Sequence, residues 1–466
     1  MVLKNALTAF SGEQELRCCD IRVEDGVIRS IGNNLNDDIN IDCTGLWLFP
    51  GAVDPHVHFY DPGYTQKEDF FSGTAFAASG GVTCVIDMPC TSEPPVTHAD
   101  HLNRKLGIVQ PKAHIDFAFF GGVSRQLFDE TPGKTAYAGY KAAMASIADK
   151  VMGFKAYAVS GMDDIWGALD YYRLEKLLEY ARELSVPVLL HTEDRSYVDN
   201  ASADFRSRGK SPREWYSSRP EIAEVLAAGS ASQLAKNTGG DLHIVHIGSA
   251  GVCAHLSSGA SEANGSRPDY RVTGETCPQY LAFGLEDFEK QGAVLKIAPP
   301  IKRKENHEGL WTALADGTLS FVASDHAPGT EREKAPGDIW KNSAGIAGTG
   351  TLFPYMLSEG FMKGRLALPR FLKAVSENAP KRYGFFDRKG SIAPGKDADF
   401  VIIDPESSWT VDQKSLLTKG TVSPFHGMTF NGRILSTWVR GRKIYDAESG
   451  ICTKPGWGRF ITPDRT

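Results

Sequence analysis

A chain of 466 residues with 41% apolar and 23% charged side chains is long enough for a large buried core and more than one domain. A formal net charge of −6, with no long basic stretch, weighs against nucleic acid as a partner. Residues 1–10 lack the apolar run of a signal peptide, and no apolar segment reaches the roughly 18 residues needed to cross a bilayer, so no membrane is expected. The eight cysteines show no C-x-x-C spacing and read as reduced thiols, which fits a cytoplasmic protein.

In chain order, the first 50 residues read as β-structure. Residues 21–31 alternate on either side of Asp25-Gly26, a strong hairpin signal. A strand-then-helix rhythm follows. Apolar strand candidates fall near 49–58, 82–89, 114–122, 151–158, 186–192, 241–247, 270–276 and 319–325. Segments with helical spacing, such as 172–184 and 220–236, separate most of them. The C-terminal part returns to β-structure, with a strand at 398–404 and a second hairpin at 436–445. Eight β-then-α units in series predict an α/β fold, a (β/α)8 TIM-like barrel over residues 50–389. The β-rich ends predict a small β-sandwich domain formed by both termini, residues 1–49 plus 390–466. No G-x-G-x-x-G follows the first strand, which argues against dinucleotide binding.

Chemistry in such a barrel gathers at the C-terminal ends of the strands. Strand one ends in His56-Val57-His58. Residues i and i+2 of a strand point the same way, so both imidazoles aim at one place. Strand four carries Lys155, strand five ends in His191, strand six in His246 and strand eight in Asp325. Four histidines, a lysine and an aspartate at five strand ends point to divalent metal, with zinc suited to the histidines. Two ions fit better than one. An ammonium on Lys155 would repel a metal, whereas a carbamate formed with carbon dioxide is anionic and can bridge two. A shared hydroxide would then be acidified, and Asp325 can move its proton to a leaving nitrogen. His243 lies on the other side of its strand from His246 and reads as an outward or supporting side chain. His98, His101, His114, His255, His307 and His426 lie off the strand ends and read as surface or structural.

These residues resemble the amidohydrolase superfamily and, within it, the cyclic-amide hydrolases: dihydroorotases, allantoinases and hydantoinases. The resemblance spans nearly the whole chain. Its marks are Pro50-Gly51-Ala52-Val53-Asp54-Pro55-His56-Val57-His58, Gly80-Gly81-Val82-Thr83, Asp87-Met88-Pro89, Gly153-Phe154-Lys155, Leu190-His191-Thr192-Glu193-Asp194 and His246-Ile247-Gly248-Ser249. Glu275-Thr276-Cys277-Pro278, Ser324-Asp325-His326-Ala327-Pro328 and the closing run from Gly390 to Asp399 complete them. The resemblance implies a binuclear site, usually zinc, bridged by an N6-carboxylated Lys155. It implies that His56, His58 and Asp325 hold one ion and that His191 and His246 hold the other. The implied reaction is hydrolysis of a C–N bond in a small cyclic amide or ureide, by an enzyme that is commonly a homotetramer.

Dihydroorotases follow the second histidine with Leu-Arg, and the arginine grips the substrate carboxylate. Here Phe59-Tyr60 stands instead. Their asparagine after Met-Pro is Cys90, and their Asn-Pro-Pro-Leu-Arg is Ala298-Pro299-Pro300-Ile301-Lys302. Hydantoinases carry a tyrosine five residues after the lysine, where this chain has Ser160. Allantoinases more often have a small hydroxyl residue there, and resemble this chain around residues 299–311 and 337–348. The resemblance is therefore nearest to allantoinases, which convert allantoin to allantoate, with dihydroorotase and then hydantoinase or dihydropyrimidinase as alternatives. Tyr60, Cys90, Ser160, Cys277, Ala298 and His326 are the candidate substrate contacts. His326 could steady Asp325 or the substrate, and Arg332 or Lys334 could replace the missing arginine. A non-catalytic scaffold would have lost ligands, and a mononuclear deaminase would have no use for Lys155.

Overall fold

The computed structural model describes residues 1–131, 137–256 and 270–465. The N-terminal strands are β1 (Val2–Thr8), β2 (Arg17–Glu24), β3 (Val27–Gly32), β4 (Asn40–Asp42) and β5 (Trp47–Pro50). The barrel strands follow as β6 (Ala52–Val57), β7 (Val82–Asp87), β8 (Asp116–Phe119), β9 (Gly121–Gly122), β10 (Phe154–Tyr157), β11 (Val188–His191), β12 (Asp241–Ile244), β13 (Arg271–Thr276) and β14 (Phe321–Val322). The chain ends with β15 (Phe400–Thr410), β16 (Thr429–Val439), β17 (Arg442–Asp446) and β18 (Gly450–Ile451).

Strands β6 to β14 pair in parallel and in chain order. The third barrel strand is interrupted at Phe120, so that β8 pairs with β7 and β9 with β10. A parallel bridge between Val57 and His326 returns the eighth strand to the first, supported by His58 N donating to His326 O at 2.7 Å. Eight parallel strands thus form the (β/α)8 barrel that the strand-helix rhythm predicts. Helices form where capping and apolar spacing agree. Asp170 caps the helix Tyr171–Glu183 by accepting from Arg173 N, and its Leu174, Leu177, Leu178 and Ala181 are buried.

Alternation along the strands separates two apolar layers. Cys84, Ile86, Ala118, Phe120 and Leu189 fill the barrel interior, while Val85, Phe117, Phe119, Val188 and Leu190 pack outward.

The sequence reading treats 49–58 as one strand, but the chain breaks it at Gly51. β5 belongs to the terminal sheet and β6 to the barrel. A β-carbon at Gly51 would lie 2.2 Å from the Thr83 side chain, so only glycine fits this passage. The terminal strands form one hydrogen-bonded path, β18-β17-β16-β15-β5-β1-β2-β3, with β4 paired to β1. Leu3, Ile21, Ile28, Phe400, Ile402 and Trp438 give it a core of its own. Both predicted hairpins are present, β2–β3 and β16–β17.

Residues 456–465, beyond the last strand of the terminal sheet, lie against the barrel. Phe117 N donates to Arg459 O, Ile461 N to Phe117 O and Asp464 N to Gly384 O. The N-terminal end of the barrel needs an apolar cover, and Ile461 joins the interior cluster there.

Beside this cover the two domains share a buried ion cluster. Lys389 Nζ lies 2.6, 3.0 and 2.5 Å from Asp116, Asp397 and Asp399, and Arg440 also pairs with Asp116. The three carboxylates are close enough to hold a metal ion, but the Lys389 ammonium already pairs with all of them.

Candidate metal centre

Strand parity decides which side chains reach the barrel axis. Val188 and Leu190 pack outward in β11 and Leu189 inward, so His191 turns inward as well. Phe154 and Ala156 pack outward in β10, which leaves Lys155 facing the axis. His56 lies in β6 and His58 just beyond its end. In β12, Leu242 and Ile244 pack outward and Val245, just beyond the strand, inward. Simple alternation would send His246 outward. Its φ of +41° brings the ring back. Asp325 follows β14 with φ +49°, and Tyr60 has φ +57°. Left-handed backbone is uncommon away from glycine, and its concentration at a strand-end cluster marks a functional site.

The six predicted ligands meet. His56 Nε2 and His58 Nε2 lie 3.3 and 3.4 Å from the same oxygen of Asp325. His191 Nδ1 lies 3.0 Å from His246 Nε2. The His56 and His246 ring centres are 5.4 Å apart, so both groups belong to one site. Lys155 is fully buried. Its Nζ lies 3.5 Å from the Tyr157 ring centre and 3.3 Å from the Ala156 carbonyl, and it forms no ion pair among the described residues.

Carboxylates stand behind two of the histidines. His56 Nδ1 lies 2.6 Å from Glu275 Oε1, and His191 Nε2 lies 2.8 Å from Glu193 Oε2. The other Glu275 oxygen is 3.2 Å from His243 Nε2, whose Nδ1 is 2.7 Å from Thr273 Oγ1. Arg219 donates to Glu193 at 2.9 Å. Such partners hold the proton on the outer nitrogen and leave the inner lone pair for a cation.

Burial pushes His56 down to about 3 and His191 down to about 4, and also lowers His246, so these imidazoles are neutral donors at pH 7. Burial works against the charge of His58 too, but hydrogen bonds to Asp325 and Cys90 outweigh it and raise His58 to about 9. Burial opposes ionisation of Asp325. His56, His58 and His246 outweigh that and hold it below the usual carboxylate range. Burial pushes Lys155 down to about 8.

His56 Nε2 is buried without a hydrogen-bond partner. An orphaned lone pair facing Asp325, among three other imidazoles, fits a borderline divalent cation such as zinc.

The candidate substrate contacts divide. Cys90 is buried beside the centre, with Sγ 3.1 Å from Tyr157 OH. Tyr60 is buried and close enough to feel the Asp325 charge. Ala298 precedes a cis peptide to Pro299 and is half-buried. Ser160 Oγ accepts from Met162 N at 3.0 Å, which caps its own loop. Cys277 is fully buried beneath the site and begins the helix Pro278–Ala282.

The His326 ring lies edge-on to Phe59 and is fully buried, with Nε2 3.3 Å from Glu68 and Nδ1 accepting from Gly348 N at 3.2 Å, an arrangement that suits the reading in which it steadies Asp325. Arg332 is exposed, and buried Lys334 donates to the Lys296 carbonyl at 3.1 Å. His243 faces inward and supports Glu275.

Sequence reasoning does not single out Glu275, Glu193, Arg219 or Glu68. Glu275 carries the same signal as the ligands, an ionisable residue at a strand end. Arg219 carries none, because only the folded chain brings it to Glu193.

A family model described as "Amidohydrolase family" matches residues 47–444. An allantoinase of Rubrobacter xylanophilus is 37% identical over 451 residues, covering 96% of this chain and 94% of its own length. An allantoinase of Escherichia coli is 34% identical over 466 residues, covering 99% and 98%. Among solved structures, an L-hydantoinase (dihydropyrimidinase) from Arthrobacter aurescens superposes with a TM-score of 0.89 at 27% identity, covering 99% of both chains. A dihydropyrimidinase from Brevibacillus agri superposes with a TM-score of 0.87 at 28% identity, covering 100% of this chain and 99% of its own.

Glu275→Gln keeps the side-chain shape and removes the charge behind His56. Zinc affinity is expected to fall about 10–100-fold, measured by competition with a chelator. Unchanged affinity would show that Glu275 does not orient His56.

Proposed function

We infer what this chain does from the premise that it belongs to the amidohydrolase family. It is a hydrolase of cyclic amides, allantoinase-like in sequence over nearly its whole length. We propose that the ring it opens is allantoin, giving allantoate. The convergence of His56, His58, His191, His246 and Asp325, with Lys155 buried nearby, supports metal-dependent hydrolysis, and the likeness to allantoinases over nearly the whole chain carries the choice of ring.

In this reading His56, His58 and Asp325 would hold one zinc ion, His191 and His246 would hold a second, and Lys155 as a carbamate would supply a further anionic ligand. Its neutral amine attacks carbon dioxide, an N–C bond forms and a proton leaves. A buried amine lowered to about 8 with no ion pair supports that step. When bound, the two ions would supply an acidified water and a polarised amide carbonyl. The ionised Asp325 accepts the proton of the attacking oxygen. It returns that proton to the ring nitrogen as the C–N bond breaks. Tyr60, Cys90, Ser160 and Ala298 remain the proposed substrate contacts.

The charge pattern favours a ureide over dihydroorotate. Lys302 stands where dihydroorotases carry an arginine, but its Nζ pairs with Glu224 at 2.7 Å and donates to Arg219 O at 2.8 Å. Lys334 is buried and donates to the Lys296 carbonyl. We also propose a homotetramer in the cytoplasm. All eight cysteines are free thiols, and no helix among the described residues is long and apolar enough to cross a membrane. Tyr172, Ile222 and Leu226 present exposed apolar surface for contacts between subunits.

The zinc-loaded protein is expected to turn over allantoin with a kcat/KM at least about tenfold above that for dihydroorotate, hydantoin or dihydrouracil. A higher value for any of those three would replace the substrate. Lys155→Ala is expected to lose activity and to regain part of it with added propionate, and a lack of response to carboxylic acids would count against the carbamate. Light scattering is expected to give the mass of four chains; a monomer mass would sink the tetramer.

A further inference from the structure

We propose that residues 418–420 of the small domain form a positioning element for Asp325, acting through Glu68 and His326. The proposal rests on the reading of Asp325 as the proton carrier. Residues 418–420 lie in the connection between β15 and β16, far from the barrel strands in sequence, yet they reach the catalytic mouth. Thr418 Oγ1 donates to Glu68 Oε2, and Lys419 N approaches Glu68 Oε1 at 3.5 Å. Lys419 Nζ anchors the segment to Asp69 at 2.7 Å and to the Thr65 carbonyl at 2.6 Å. Gly420 then packs on the loop that follows Asp325. A β-carbon there would lie 2.6 Å from Pro328 Cβ, so the approach requires glycine.

Glu68 is fully buried and has no lysine or arginine partner among the described residues. Its donors are Thr418, Ser72, the backbone of Asp69 and Lys419, and His326. The orientation of His326 is set from both sides. Gly348 N donates to Nδ1, so the ring proton sits on Nε2 and points at Glu68. The ring is further confined by Phe59 and Phe76 at 5.5 and 5.9 Å between centres. The backbone of His326 is fixed in turn, because its carbonyl accepts from His58 N at 2.7 Å.

Asp325 lies one residue before this fixed point, at φ +49°. A left-handed non-glycine residue persists only where its surroundings over-determine it. Proton transfer is sensitive to sub-ångström placement of the carboxylate. The Thr418 hydroxyl therefore helps to keep the acid–base group in register from another domain. Thr418, Glu68 and His326 are positioning residues, since none touches the reacting atoms.

The test is Thr418→Val, nearly isosteric but without the hydroxyl, assayed in the zinc-loaded full chain with whichever cyclic amide the screen identifies. The expected result is a fall in kcat of about tenfold, with KM, metal content and unfolding temperature unchanged. Thr418→Ser should restore kcat. Lys419→Met, which releases the anchor without touching Glu68, should lower kcat in the same direction and covers the case in which Thr418→Val does not fold. Wild-type kcat in a folded Thr418→Val overturns the proposal, and where that variant does not fold, wild-type kcat in Lys419→Met does. So does a loss that tracks metal content or folded fraction, or that Thr418→Ser does not recover. Asp325→Asn measured alongside separates the two readings: full turnover in that variant removes the proton-carrier role itself, whereas an inactive Asp325→Asn beside a fully active Thr418→Val removes only the positioning element.

Discussion

An imidazole can offer a lone pair to a cation only if its other nitrogen holds the proton, so the site depends on what stands behind each histidine. Glu275 behind His56 and Glu193 behind His191 answer that requirement with charge-assisted hydrogen bonds. Each carboxylate is then buried and needs donors of its own. Glu275 takes one from His243, and Glu193 takes a guanidinium from Arg219, whose carbonyl in turn accepts from Lys302. The demand spreads outward until it reaches residues that have no chemical role, which is why the barrel interior here is polar as well as apolar.

Backbone conformation carries a second part of the cost. His246, Asp325 and Tyr60 all sit at positive φ, at roughly 1–3 kcal/mol each. For His246 the conformation is what turns the ring toward His191 against the strand's alternation. For Asp325 the neighbouring contacts through Ser324 and His326 hold the turn. Ser324 N donates to Asp54 at 3.0 Å and His326 N to Ser324 Oγ at 3.0 Å. Packing of the two apolar layers around the strands supplies the stability that tolerates these conformations.

Much of this was legible in the sequence because it follows periodicity. Apolar runs in a strand-then-helix rhythm placed the eight barrel strands, and the strand-end rule pointed to His56, His58, Lys155, His191, His246 and Asp325. Parity alone fails at His246, because it does not foresee the φ that redirects the ring. Adjacency to Asp325 left His326 open between steadying Asp325 and steadying the substrate, and only the fold directs its ring into the Phe59 side. The supporting groups were less legible for a different reason. Arg219 and Glu68 meet their partners only through tertiary contact, and no spacing in the chain announces that meeting. The course of residues 456–465 was hidden likewise, because covering the barrel floor is a need of the assembled barrel and not of any local segment.

The two ends of the barrel bury charge in contrasting ways, and the contrast separates structure from chemistry. At the N-terminal end, Asp116, Asp397 and Asp399 converge as closely as metal ligands would, but Lys389 and Arg440 balance them with cations of the chain itself. Nothing further is needed there, and the cluster joins the small domain to the barrel. At the C-terminal end the converging groups are one ionised aspartate and four imidazoles, of which burial keeps His56, His191 and His246 neutral. The Lys155 ammonium is weakened by burial and has no ion-pair partner among the described residues. His56 Nε2 is left without a hydrogen-bond partner. A fold that completes its own charge pairs at one end and leaves lone pairs converging at the other has reserved the second end for a cation from outside. The small domain is tied to both ends, through Lys389 below and Thr418 above, so its attachment bears on the chemistry as well as on stability.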